Sequence, residues 1–313
     1  MKSSLIMQKS KLIYGIFITI VAYFFFAIGA AFVKAIGNTC AVSQILFIQN
    51  VICLIILLPY GIKTNHLKFK TPHLKLHLLR DFAGLLSYGA YYLAIKYLDL
   101  VDATVLSYTS PFYIPLILRL WKQEKIHSAV WWSITLGFLG IIMILNPSMQ
   151  FVLIGAFVAL FSGVCSSFAL IAIRMLNQKG ESLSTTLFYF SFISTLATLP
   201  FFLYENNYFF PLTTWCYMIG VGLSIAVGQI FLTMAYRHGS AAFLSPLSYF
   251  IVIFSSLISI VAFNDIPHWS AFIGMAIIIF GGSMSFIVSH KKQNFLNALK
   301  APNTPWWKKL FYH

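Results

Sequence analysis

The chain alternates long apolar stretches with short polar bends. Ten stretches approach the ~20 residues needed to cross a bilayer core: 12–33, 43–60, 78–97, 103–121, 129–145, 151–173, 185–203, 214–236, 241–263 and 271–289. Each is a continuous apolar run, unlike the ~10-residue alternation of a membrane barrel strand. The pattern predicts an all-α membrane protein with ten transmembrane helices.

The runs are not independent of one another. Segment 91–124 returns 141 residues later as 232–265, with Lys96 meeting Arg237, Leu106-Ser107-Tyr108 meeting Leu247-Ser248-Tyr249, and Glu124 meeting Asp265. At an offset of 140 or 141, Gly15 also meets Gly155, Lys34 meets Arg174, Ser43 meets Ser184, Pro59 meets Pro200 and Gly140 meets Gly281. Many of these matches fall at span ends, where chance alignment of apolar helices would not place prolines and charges. Five spans per copy is an odd number, so the second copy enters the membrane upside down. The expected architecture is therefore two inverted five-helix repeats, 12–146 and 151–290, with a short N-terminal tail 1–11 and a basic C-terminal tail 291–313. Repeats of this kind meet near the midplane in secondary transporters, which work by rocking one half against the other.

Composition agrees with the spans: 59% of residues are hydrophobic and 9% charged, against roughly a quarter charged in soluble domains. The net charge of +14 would suit nucleic acid if it were clustered, but it is sorted by topology. With a cytoplasmic N-terminus, only Lys34 and Lys96 of the 21 Lys and Arg residues fall outside. That is the positive-inside distribution, and it puts both termini in the cytoplasm and nucleic acid out of consideration. The four cysteines form no CxxC or Cys/His pattern, so neither a metal nor a cofactor is expected. His66, His73 and His77 flank lysines and read as a solvated basic loop.

Candidate chemistry lies on the polar positions inside the spans. Pro111 and Pro115 remove backbone donors and should kink or unwind the fourth span, a break tolerated at membrane depth where it faces protein or a wet cavity. Asp81, Asp99, Asp102, Glu124 and Asp265 are expected at interfaces, as caps and topology markers, with Asp102 capping the fourth helix. The second span is expected to end at Pro59-Tyr60-Gly61. The expected substrate cavity is neutral: Tyr23, Gln49, Tyr88, Tyr91, Ser107, Tyr108, Pro111, Ser166, Gln229, Ser248 and Tyr249. Aromatic walls with a few hydroxyls and amides suit an amphipathic or cationic solute. Ser107-Tyr108 and Ser248-Tyr249 are expected to face each other across the midplane.

The ten spans in two halves resemble the drug/metabolite transporter superfamily, EamA type. The resemblance also rests on the ends of the fourth and ninth spans, Trp121-Lys122-Gln123-Glu124 and Ala262-Phe263-Asn264-Asp265, and on the glycine-spaced helices that follow them. It covers most of the chain. The stretch 78–147 is similar in cast to S-adenosylmethionine importers of intracellular bacteria. The chain departs from the family in carrying Gln49 where many members have an arginine, and Asp265 in place of the commoner glutamate. The resemblance implies a multi-pass protein of the bacterial inner membrane that moves a small organic solute, with S-adenosylmethionine or amino acids as candidate substrates.

Membrane lipid is the other expected partner, and a homodimer is left open. With no acidic group expected at depth, facilitated diffusion or exchange is favoured over a proton-driven exporter of amino acids or drugs. A non-transporting structural or partner-binding protein is the alternative of another class. An intramembrane enzyme would need paired carboxylates, a Ser/His dyad or metal ligands at depth, and no such constellation is present in the sequence.

Overall fold

The computed structural model describes residues 2–63, 67, 69–122, 150–205, 209–238 and 244–265, with isolated positions between 132 and 143 and between 269 and 281. Most of the expected fifth and tenth spans, Glu124, the Asn146-Pro147-Ser148 turn and the tail beyond Lys291 lie outside the described residues. Among the described residues every regular element is helical. In chain order these are α1 Lys2–Ile36, α2 Val42–Lys63, α3 Leu74–Tyr97, α4 Leu100–Ser107, α5 Ser110–Lys122, α6 Gln150–Gln178, α7 Leu183–Tyr204 and α8 Leu212–His238. A 3-10 turn, Ser245–Tyr249, then leads into α9 Phe250–Phe263.

Among the described residues, five helices are long and apolar enough to cross a membrane: Ile13–Ile36, Val42–Lys63, Leu153–Gln178, Leu183–Tyr204 and Leu212–His238. α3 is as long but carries Arg80, Asp81 and four tyrosines. The fourth span is split. α4 stops at Ser107, and Pro111 has no N–H for the Ser107 carbonyl, so the chain restarts as α5. Pro115 is accommodated inside α5. In the ninth span a 3-10 turn carrying Pro246 occupies the positions equivalent to 104–108. α2 does not end at Pro59: it runs on to Lys63, because a proline so near the C-terminus removes a single hydrogen bond.

Among the described residues the helices pack between halves more than within them. α1 lies along α8 and α3 along α6, and these two pairs are repeat equivalents of each other; α2 lies against α7, its own equivalent. Close contacts repeat in the same register. A methyl group at Gly15 would come within 3.0 Å of His238 Cβ, and one at Gly155 within 2.9 Å of Tyr97 Cβ; Tyr97 and His238 are 141 residues apart. Lys96 Nζ donates to the Cys40 carbonyl at 2.6 Å. Arg237 Nη2 donates to the Glu181 carbonyl, 141 residues further on, at 3.3 Å.

The exterior is apolar, with Phe157, Phe201 and Val261 exposed, while Gln49, Asn50, Arg80, Asp81 and Thr104 are buried. Lipid tails are as apolar as leucine, so helices associate through close packing and interhelical hydrogen bonds. Ser87 and Ser162 supply one such lock between α3 and α6. Ser87 Oγ donates to the Ser162 carbonyl at 3.0 Å, and Ser162 Oγ donates to the Ser87 carbonyl at 2.8 Å.

Candidate functional site

The most polar part of the interior begins two turns into α3. Arg80 is fully buried there, its Cζ 3.6 Å from the centroid of the Phe190 ring on α7. Gly84, one turn on, leaves room for the guanidinium: a Cβ would stand 3.2 Å from Arg80 Nη1 and 3.1 Å from Phe190 Cε2. Arg80 Nη2 donates to Gln229 Oε1 at 2.7 Å, and Gln229 Nε2 donates to the Tyr88 hydroxyl at 2.8 Å. Asp81 is also fully buried, its Oδ1 3.8 Å from Arg80 Nη1. That is an ion pair longer than a hydrogen bond. Arg80 Nε and Nη1 and both Asp81 carboxylate oxygens have no hydrogen-bond partner among the described residues.

Arg80 borders a cavity of about 60 Å³. Tyr23 and Phe26 of α1 form one wall, and Gly84, Ser87, Tyr88 and Tyr91 of α3 another. Ser107, Tyr108 and Ser110 enter at the break between α4 and α5. Ser162, Ser166, Ala169, Leu170 and Ile173 come from α6, and Gln229 and Leu232 from α8. The Tyr108 ring stands edge-on to Tyr23 at 5.9 Å and to Tyr91 at 5.7 Å. The Tyr91 hydroxyl pairs with Thr104 Oγ1 at 2.7 Å. Thr104 Oγ1 in turn donates to the Leu100 carbonyl, which leaves Tyr91 as the donor.

Of the residues expected to form a cavity, Tyr23, Tyr88, Tyr91, Ser107, Tyr108, Ser166 and Gln229 border this one, whereas Gln49, Pro111, Ser248 and Tyr249 do not. Gln49 lies a layer out, where its Oε1 accepts from the Tyr92 hydroxyl. Pro111 serves the start of α5. Tyr249, at the end of the 3-10 turn, packs against Phe112 at 6.2 Å. Across the repeats, Tyr88 meets Gln229, as Phe112 meets Tyr249.

The polar assignments need three further corrections. Asp81 is not at an interface, because it turns into the α3 packing beside Arg80. At α4 the N-cap position belongs to Asp99, which makes no side-chain cap bond, and Asp102 sits in the first turn. His77 is not in a solvated loop: α3 starts at Leu74, and His77 is buried with its ring stacked on Tyr189 at 4.5 Å.

The EamA-like transporter family matches this chain twice, over residues 13–146 and 153–287. The chain belongs to that family. Like the family, it is a multi-pass protein of the bacterial inner membrane and a small-molecule transporter. Among its relatives is the pseudopaline exporter CntI of Pseudomonas aeruginosa, 29% identical over 85% of this chain and 93% of the relative. A riboflavin transporter of Vibrio cholerae is 26% identical over 78% and 82%. An S-adenosylmethionine uptake transporter of Rickettsia bellii is 23% identical over 83% and 88%. A solved structure superposes with a TM-score of 0.67 at 16% identity, covering 90% of this chain and 98% of that one; at that identity the likeness concerns the fold.

Within this EamA-like chain, the residue that sequence reasoning missed is Arg80. Its place near the start of the third span puts it among the cytoplasmic charges by sequence. The available signal was local: Arg80, Gly84 and Tyr88 recur at i, i+4 and i+8 on one helical face, with Gln229 at the position equivalent to Tyr88. Chemically the site offers one fixed cation with spare donors, serine and tyrosine hydroxyls, and aromatic rings. Ionisable groups at membrane depth are costly and by default functional.

Proposed function

We propose that the protein moves a small organic metabolite across the inner membrane by alternating access, with the solute held in the cavity bordered by Tyr23, Tyr88, Tyr91, Tyr108 and Gln229. Two inverted repeats, 12–146 and 151–290, would supply ten spans, with both termini cytoplasmic and lipid around the apolar exterior. The observation that carries this reading is the Tyr88–Gln229 hydrogen bond. Repeat-equivalent residues touch each other only at the axis relating the repeats, so the cavity lies where two rocking halves meet. Its volume of about 60 Å³ is well under the roughly 300–1,000 Å³ of ligand pockets. The helices must part on one side to admit a solute, and then on the other to release it.

S-adenosylmethionine and amino acids are the candidate substrates; the relatives named for pseudopaline, riboflavin and S-adenosylmethionine set the range to be screened. Facilitated diffusion or exchange rests on the absence of an acid at depth. Buried Asp81 removes that reason and favours proton coupling as a second reading. Purified protein in proteoliposomes, offered a mixture of amino acids, S-adenosylmethionine and riboflavin, should accumulate at least one of them. Tyr108→Ala should abolish that uptake at normal expression. No uptake above empty vesicles, or uptake indifferent to Tyr108→Ala, would refute the cavity assignment.

A further inference from the structure

Buried cations in membrane proteins are ordinarily satisfied by a full set of acceptors. Arg80 is not. It is held in place by Gln229 at Nη2, by the Phe190 ring over one face and by the space that Gly84 leaves. Among the described residues its Nε and Nη1 donors have no hydrogen-bond partner, although the side chain is buried and borders the cavity. Asp81 stands 3.8 Å away and takes up neither donor.

We infer that Arg80 is the receptor for a carboxylate on the transported solute. This rests on the reading of the cavity as the substrate site. A guanidinium is a planar fork that matches a carboxylate, and here Gln229 has already fixed its orientation. An incoming carboxylate would meet spare donors and would break no hydrogen bond to Asp81. A dianionic phosphoryl group fits less well, because the site offers one cation. The remaining walls, Tyr23, Tyr91 and Tyr108, offer ring faces and edges to an aromatic or cationic remainder. The solute class is therefore an amino-acid-like molecule, with a carboxylate at the Arg80 end and an aromatic or cationic body among the tyrosines. Amino acids and S-adenosylmethionine both carry such a carboxylate.

The test is calorimetric binding to the full-length protein in nanodiscs. The probes are L-tyrosine, L-methionine and S-adenosylmethionine, the decarboxylated counterpart of each, and riboflavin, which has no carboxylate. At least one acid should bind wild type, with its decarboxylated counterpart at least about tenfold weaker. Arg80→Gln should erase that difference and Arg80→Lys should keep part of it. The inference falls if acid and decarboxylated probes bind wild type equally, if Arg80→Gln keeps the preference, or if no acid binds. The wild-type comparison decides the matter even where Arg80→Gln does not fold. Riboflavin separates the two readings. Riboflavin binding that is lost in Tyr108→Ala, with no acid preferred over its decarboxylated counterpart, would sink the carboxylate receptor and leave the cavity standing. If no probe binds in a Tyr108-dependent way, the cavity reading fails too.

Discussion

Tyr88 and Gln229 hold the same position in the two halves of the chain, 141 residues apart, and Gln229 Nε2 donates to the Tyr88 hydroxyl at 2.8 Å. The same amide accepts from Arg80 through its oxygen. One side chain thus links a contact between two equivalent positions to a cation buried at the edge of the cavity.

That double role makes Gln229 costly to replace. Gln229→Leu leaves a third Arg80 nitrogen without its acceptor, and a lost hydrogen bond to a charged group costs about 1.5–3 kcal/mol. The variant should unfold at lower denaturant concentration than wild type by that margin. Gln229→Glu, which keeps the acceptor, should lose less. Equal stability of the leucine variant and wild type would show that the amide does not hold the guanidinium.

Close helix approach gives a second prediction. A methyl group at Gly155 would lie 2.8 Å from Leu98 Cγ and 2.9 Å from Tyr97 Cβ, whereas one at Gly89 would lie 3.5 Å from Leu46 Cδ1, an ordinary contact. Overpacking of this kind costs about 1–3 kcal/mol. Gly155→Ala should lower the thermal midpoint in detergent. Gly89→Ala should leave it unchanged or raise it, since alanine is the better helix former.

A pH dependence follows from the bend ahead of the 103–121 span. Burial raises the Asp102 carboxyl to about 7 from its ordinary 3.8, helped by Asp99 and Asp265 and opposed by Lys34. The folded protein therefore keeps a proton that the unfolded chain releases across this window. Stability from this group is full below about pH 4 and is lost as pH rises towards about 7. Asp102→Asn removes the penalty. The thermal midpoint of the variant relative to wild type should be higher at about pH 8 than at about pH 5. A gap of the same size at both values would contradict the assignment.

The sequence carried the membrane class and the duplication because both are written in long-range periodicity: apolar runs of bilayer length, and glycines, prolines and charges returning at one offset. It also named Tyr23, Tyr88, Tyr91, Tyr108 and Gln229 as polar positions inside apolar runs, and these come together at one cavity. Arg80 was not legible, because distance from a span end says little about depth when the helix is tilted or extended beyond the run. α3 begins at Leu74 and carries Arg80 two turns in, against Phe190. Tyr249 misled for a different reason. Repeat equivalence transfers a position but not a backbone conformation: Tyr108 leaves a helix end at φ −93°, ψ 28°, whereas Tyr249 closes a 3-10 turn at φ −65°, ψ −17°.

Alternating access at the axis is the central claim, and Ser107 is the position from which to test it. Ser107 is buried, its hydroxyl has no hydrogen-bond partner among the described residues, and it borders the cavity beside Tyr108. In a background with Cys40, Cys53, Cys165 and Cys216 replaced, Ser107→Cys can be offered a membrane-impermeant maleimide from either side of sealed, oriented vesicles. The prediction is labelling from both sides, with the transported solute slowing both. Labelling from one side only, or from neither, would contradict the account.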